Sequence, residues 1–178
     1  LKDRSGNLTL TNINGLCRIA LDKLKKTYEQ DIQEKNIRIV FDNLTLSLMM
    51  EVNVEQFSKV LAGILKNSMY ALLKKSETVT FSPQIFLGLK VNKDMLEITI
   101  RDNGSVIDEN IKDKIFAPFF TTKTTGEAAG VGLYLCREIV QNHRGTIEVE
   151  SKKGEYTQFL ITIPVYQPKT ITPPKEEE

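Results

Sequence analysis

Apolar residues recur at two different periods along this chain, and the changes of period mark out its elements. From Leu8 to about Lys35, the residues Ile13, Leu16, Ile19, Ala20, Leu24 and Tyr28 fall at helical spacing with Lys, Asp and Glu between them. One helix is predicted there, with Thr11 or Asn12 as its cap. Ile37-Arg-Ile-Val-Phe41 alternates as a half-buried strand does, and after a turn near Asp42-Asn43 a second short strand is predicted over 46–52. Val54 to Lys75 carries the widest helical stripe, formed by Phe57, Val60, Leu61, Ile64, Leu65, Met69 and Leu72. A hairpin follows, with strands at 84–91 and 95–101 about the turn Asn92-Lys93-Asp94, and it runs straight into Asp102-Asn103-Gly104. Residues 105–129 lack a period and contain Pro118 and Gly126; such a stretch inside a compact domain is either disordered or functional. Gly132 to Asn142 is helical again and ends at His143-Arg144-Gly145, where Gly145 reads as the terminator. A second hairpin, 146–150 with 157–163 around Lys153-Gly154, closes the pattern, and the tail from Gln167 is expected to be disordered. The order α-β-β-α-β-β-lid-α-β-β, with its grouped strand pairs, predicts an α+β two-layer sandwich rather than a doubly wound sheet.

Composition narrows this picture in two respects. A length of 178 residues, 40% hydrophobic, suits one core, and a net charge of +1 gives no basic stripe for nucleic acid. No run approaches the ~20 apolar residues of a membrane span, so this segment is not expected to insert into a membrane. The two cysteines, Cys17 and Cys136, sit in helical segments without metal-ligand spacing and read as reduced, buried thiols.

Four short motifs carry candidate chemistry. Asn67, on the flank of the widest stripe, is by itself an ordinary surface amide; its functional reading is a neutral oxygen ligand for Mg²⁺. Asp102-Asn103-Gly104 is by itself a turn. Its functional reading has the Asp102 carboxylate accepting the exocyclic amine of adenine, with Gly104 letting backbone approach the base. In Phe116-Ala-Pro-Phe-Phe-Thr-Thr-Lys123 the three phenylalanines anchor a loop, while Thr121, Thr122 and Lys123 suit phosphate oxygens. Ala129-Gly-Val-Gly-Leu133 is either a hinge or a helix N-terminus whose amides meet phosphates. Each motif alone is evenly balanced at best; in this order they favour a nucleotide site.

This series resembles the N box, first glycine box, phenylalanine box and second glycine box of the sensor histidine-kinase catalytic domain, in the GHKL ATPase superfamily with its Bergerat ATP-binding fold. The resemblance runs from about Ile37 to Pro164. It implies a mixed, mostly antiparallel sheet covered on one face by helices. The implied organisation is an N-terminal helix over 1–36, an ATP-binding domain over 37–166 with an ATP lid at about 105–129, and a tail over 167–178. Carried over by position, it makes Asn67 the metal ligand and, with Lys123, the catalytic pair, and it makes Asp102 the adenine reader. Tyr70, Ala71, Gly104, Val106, Ile107 and Phe116 join the nucleotide contacts. So do Thr121, Thr122, Gly130, Val131, Gly132 and Leu133, with Thr157 at the water network of the base. The implied cofactors are ATP and Mg²⁺. The implied partners are a histidine-bearing dimerisation domain upstream, forming a homodimer, and a response-regulator receiver domain, in a cytoplasmic setting.

Two departures stand out. Val106 occupies the place of a second glycine, and Gly63 the place where related kinases often carry Asn and ATP-hydrolysing branches carry Glu. Without a carboxylate to activate water, phosphoryl donation is favoured over ATP hydrolysis. His143, the one histidine, falls where the family has a structural histidine, so this chain alone is not expected to autophosphorylate. The rival readings are a degenerate nucleotide-binding scaffold without phosphotransfer, supported by Val106 and Gly63, and an ATPase of the gyrase or chaperone type.

Overall fold

The computed structural model describes residues 7–118, 120 and 131–166. Five strands, β2 (Arg38–Asp42), β4 (Gln84–Asn92), β5 (Met95–Asp102), β7 (Tyr156–Pro164) and β6 (Thr146–Lys152), form the main sheet in the order β2-β4-β5-β7-β6. Only β2 with β4 is parallel; the other pairs are antiparallel, β4–β5 and β6–β7 as hairpins and β5–β7 through a longer connection. The two-layer α+β sandwich and both predicted hairpins are therefore present.

Strand alternation turns one face of this sheet into an apolar floor. Leu87, Ile100 and Phe159 share one cross-strand row, Leu89, Ile98 and Ile161 the next, and all six are buried. Helix α3 (Val54–Ser76) lays Phe57, Val60, Leu61, Ile64, Leu65, Met69 and Leu72 into that core, each fully or almost fully buried. Its start is fixed by Asn53, whose side chain accepts from the Gln56 amide at 3.1 Å. Helix α4 (Val131–Asn142) packs beside it through Cys136, Ile139 and Val140.

The N-terminal region differs from the single helix predicted from Leu8. Residues Thr9–Asn12 are a strand, β1, paired antiparallel with β3 (Met49–Val52) in a separate two-stranded ribbon. Asn12 is the cap of α1 (Ile13–Thr27), its side chain accepting from the Gly15 amide at 3.1 Å. The helix stops at Tyr28, and a seven-residue α2 (Glu29–Lys35) ends at Asn36 in the left-handed region, φ 50°. Adjacency in sequence suggested that β2 and β3 belong together, yet they lie in different sheets. Asn14 explains the separation. Buried at the start of α1, it bonds Asn43, accepts from the Leu48 amide at 2.9 Å and so pins the connecting loop to the helix.

Helix α4 ends in a Schellman motif, with Gly145 N–H on the Val140 carbonyl and Arg144 N–H on the Gln141 carbonyl, both at 2.9 Å. The left-handed position, φ 61°, belongs to Arg144 and not to the glycine. Gly145 is glycine for another reason: a Cβ there would lie 2.4 Å from the Thr162 carbonyl oxygen of β7. Just before it, His143 is 2% exposed. Its Nε2 accepts from the Asn53 amide at 3.1 Å, which requires Nδ1 to carry the proton it donates to the Ile139 carbonyl at 2.8 Å. Its ring also meets Phe57 edge-on at 5.7 Å. The histidine is thus a tie between the end of α4 and the start of α3.

Two substitutions separate these roles. Gly145→Ala is expected to lower stability by about 2–3 kcal/mol, because backbone must move to admit the methyl. Arg144→Gly, on an exposed residue, is expected to be neutral or to stabilise by up to about 1 kcal/mol. Urea unfolding of the two variants checks the pair.

Candidate functional site

The inward row next to Leu87, Ile100 and Phe159 breaks the apolar pattern. It reads Ile85, Asp102, Thr157 and Ser151 across β4, β5, β7 and β6. Asp102 is 2% exposed and Thr157 3%, so a carboxyl and a hydroxyl occupy positions where alternation calls for hydrocarbon. The Ser151 and Thr157 hydroxyls are 3.0 Å apart, and Ser151 accepts from the Ile107 amide at 3.2 Å. The polar row thereby reaches the chain leaving β5.

Asp102 is held by one bond of its own and by three that fix its neighbour Asn103. Its Oδ1 accepts from the Gly104 amide at 2.9 Å. Asn103 clamps the turn by accepting from the Gln84 amide and donating to the Ser82 carbonyl, both at 2.8 Å. The Lys75 ammonium, 4.4 Å above the Phe81 ring, donates to the Asn103 carbonyl at 2.9 Å. Gly104 is required by the protein's own packing, since a Cβ would lie 2.4 Å from the carbonyl carbon of Ala71 in α3. The Ser105 amide then bonds the Ala71 carbonyl at 3.0 Å. The predicted motif residues Ala71, Asp102 and Gly104 are therefore in one cluster.

Asn67 and Tyr70 lie half-buried on the same helix, the Asn67 side chain without a hydrogen bond among the described residues. Between them, Ser68 is 1% exposed, and its hydroxyl has no hydrogen-bond partner. Burial pushes the Asp102 carboxyl from an ordinary 3.8 up to about 7; the Gly104 amide, the Ser68 hydroxyl and the Lys75 ammonium act in the opposite direction. Ser68 is thus near enough to bias Asp102 while lacking a bond of good geometry.

The remaining candidates divide into three groups. Val106 and Ile107 are half-buried, and Val106 is not among the residues with positive φ, so a β-branched residue is unstrained there. Phe116 is buried edge-on to Phe159, centroids 6.3 Å apart, which anchors the segment after β5 to the core. Leu133 is half-buried against the core, whereas a Cβ on Gly132 would meet nothing within 4 Å among the described residues. Thr121, Thr122, Lys123 and Gly130, the side chain of Val131 and the tail 167–178 lie outside the described residues. Ser68, Ser151 and Lys75 were not singled out from the sequence. Ser68 was nevertheless signalled as a polar residue on the buried stripe of α3, and Ser151 as the next inward position after Ile147 and Val149.

Gly63, the position lacking a carboxylate, faces α4: a Cβ there would stand 3.2 Å from the Cys136 sulfur. Cys17 and Cys136 are both buried free thiols pushed up to about 12 by desolvation, hence protonated and unreactive. Among the described residues no His, Cys, Asp and Glu cluster could hold a metal, and no helix is long and apolar enough to cross a membrane.

The raised Asp102 pKa fixes a sign. Between about pH 4 and 7 the folded chain keeps a proton that the unfolded chain releases, so stability falls as pH rises through that window and levels off above it. Asp102→Asn, which can still accept from Gly104, is expected to abolish the slope and to be more stable at pH 8 by a few kcal/mol, at about 1.4 kcal/mol per pKa unit. Chemical unfolding at pH 5 and pH 8 measures it.

Comparison with known proteins agrees with this geometry. Residues 53–167 match the family model described as histidine kinase-, DNA gyrase B- and HSP90-like ATPase. Cyanobacterial phytochrome A of Nostoc sp. strain PCC 7120 is 35% identical over 149 residues, covering 82% of this chain and 18% of that protein. Sensor histidine kinase ZraS of Salmonella typhi is 27% identical over 164 residues, covering 91% and 33% respectively. The chain thus spans a third or less of these two relatives. The nucleotide-free catalytic domain of histidine kinase ThkA superposes with a TM-score of 0.72 at 28% identity, covering 89% of this chain and 95% of that one. A structure of ThkA in complex with the response regulator TrrA gives a TM-score of 0.67 at 25% identity, over 89% of this chain and 42% of that one. The fold is accordingly that of a histidine kinase catalytic domain, and the chain belongs to the histidine kinase-, DNA gyrase B- and HSP90-like ATPase family.

Proposed function

We propose that this domain binds ATP with Mg²⁺ and donates the γ-phosphoryl group to a histidine on a dimerisation domain of the same protein, from which a response-regulator receiver domain takes it. The observation that carries the reading is the buried Asp102 carboxyl, set in a polar row with Ser68 above it and Asn67 one residue before Ser68 on α3. A carboxylate buried at this cost is explained by a ligand that donates to it. Adenine does so through its exocyclic amine, whereas guanine presents a carbonyl at that place. The unpartnered Ser68 hydroxyl and the open space at Gly132 fit a ligand as well.

Mg²⁺ would be held by the Asn67 amide oxygen together with phosphate and water oxygens, and when bound it would neutralise charge on the phosphates. The chain's own residues supply position. Asp102 orients the base, Asn103 and Lys75 hold Asp102, and Phe116 anchors the lid. Lys123 and the amides about Gly130 and Gly132 are assigned to the phosphates by their place in the motifs. Gly63 leaves no carboxylate beside them to activate water, which favours transfer to an imidazole over hydrolysis. His143 is not the acceptor, because both its nitrogens are engaged and it is buried. The chain alone is therefore expected to bind nucleotide without phosphorylating itself.

Calorimetry of this chain with ATP, with and without Mg²⁺, tests the reading. Binding in the micromolar to sub-millimolar range is expected, lost in Asp102→Ala, with the Mg²⁺ enhancement lost in Asn67→Ala. Absence of binding at millimolar ATP in the unaltered chain would leave a scaffold that has the fold without its nucleotide.

A further inference from the structure

Helix α3 ends on two lysines that are used differently. Lys74 pairs with Glu77 on the surface, 3.8 Å away. Lys75 makes no ion pair among the described residues. Its ammonium crosses instead to the end of β5, 4.4 Å from the centroid of the Phe81 ring, and donates to the Asn103 carbonyl at 2.9 Å. A lysine at a helix C-terminus ordinarily bonds the helix's own last carbonyls or water. This one is fixed by a ring and by a carbonyl, and the carbonyl belongs to the residue directly after the buried Asp102. The other named neighbours of Asp102 are neutral. Ile85 and Thr157 flank it on β4 and β7, the Gly104 amide bonds it, and the Ser68 hydroxyl acts on it from α3. Arg101, next to it on β5, points to the opposite face of the sheet, where it meets Gln158 and Tyr156. Among the described residues, Lys75 is the one charged side chain that acts on the Asp102 carboxyl.

We propose that Lys75 is a positioning residue for nucleotide binding: clamped between the Phe81 ring and the Asn103 carbonyl, its ammonium favours the ionised form of Asp102 without touching any ligand. This rests on the assignment of Asp102 to adenine and adds to it a residue that acts only through Asp102. The anion is the form that binds, because a protonated carboxyl loses the charge that strengthens a bond from the adenine amine. A cation this near acts strongly on a buried acid, since little water lies between to screen it. The hydrogen bond to Asn103 by itself would steady the turn equally at every pH, whereas the charge ties affinity to pH. With the lysine in place, burial already brings the Asp102 carboxyl up to about 7. Loss of the cation moves that titration higher, so binding weakens most at and below neutral pH and recovers above it. The half-buried Phe81 has a part in this as well, because its ring fixes where the charge sits.

The test compares the unaltered chain with Lys75→Gln and Lys75→Arg. Gln can still donate to the Asn103 carbonyl but carries no charge, and Arg keeps both. Two quantities are read: the NMR titration of the Asp102 carboxyl carbon in the empty chain, and the calorimetric affinity for ATP with Mg²⁺ between about pH 6 and pH 8.5. Lys75→Gln is expected to raise the Asp102 midpoint by about half a pH unit, and so to weaken ATP about threefold at the acid end and hardly at all at the alkaline end. Lys75→Arg is expected to leave both readings in place. An unmoved midpoint in Lys75→Gln, an affinity unchanged or reduced equally at every pH, or a Lys75→Arg variant that behaves as Lys75→Gln would each overturn the proposal. Failure of the unaltered chain to bind ATP at any pH would instead remove the assignment of Asp102 on which it stands.

Discussion

The nucleotide-site geometry depends on a place where helix and sheet touch through backbone alone. At Gly104 no side chain separates the end of β5 from Ala71 of α3, and the Ser105 amide closes the contact with a hydrogen bond. Any Cβ would push the helix away from the strand. With the two in register, α3 brings Ala71 against Gly104 and Ser68 near the carboxyl that ends β5, with Asn67 on the same turn of the helix. The catalytic-domain fold thus uses the glycine of its first motif to dock two elements, and only through that docking to serve a ligand.

The second constraint is electrostatic. The sheet's inner face is hydrocarbon for several rows and then changes character at Asp102, Thr157 and Ser151. Burying a carboxyl there raises its pKa to about 7 and makes the empty site a less stable arrangement than an apolar row would be. Lys75 partly offsets this from outside the row, reaching over Phe81 to the Asn103 carbonyl without contacting Asp102 itself. Strain between folding and binding is expected where local rules are broken for function.

Most of the architecture was legible because the apolar periods were clean. The stripe of α3 and the two hairpins of the sheet follow directly from spacing, and the motifs singled out Asp102, Gly104 and Ala71, which the fold brings together. What escaped was set by contacts distant in sequence. Thr9–Asn12 is too short to show its alternation beside a strong helical stripe, and it becomes a strand because Met49–Val52 is there to pair with it. The divorce of β2 from β3 depends on Asn14, whose role is invisible without the loop it holds. Gly145 looked like a helix terminator, yet the left-handed residue is Arg144 and the glycine answers to a strand across the layer. Ser68 was hidden by its own stripe, a small polar residue among large apolar ones.

The tie made by His143 has a mechanical meaning for α4. The helix is twelve residues long, about 18 Å at 1.5 Å per residue. Its far end is moored to the start of α3 by an imidazole that donates one hydrogen bond and accepts another, and its middle rests on Gly63 through Cys136. Its near end carries Gly132, which leaves room around the backbone. A rod so fixed is a cantilever. Force applied at the glycine end is resisted by bending or pivoting about the mooring and not by sliding, so a load there reaches the core as a torque on the first turn of α3.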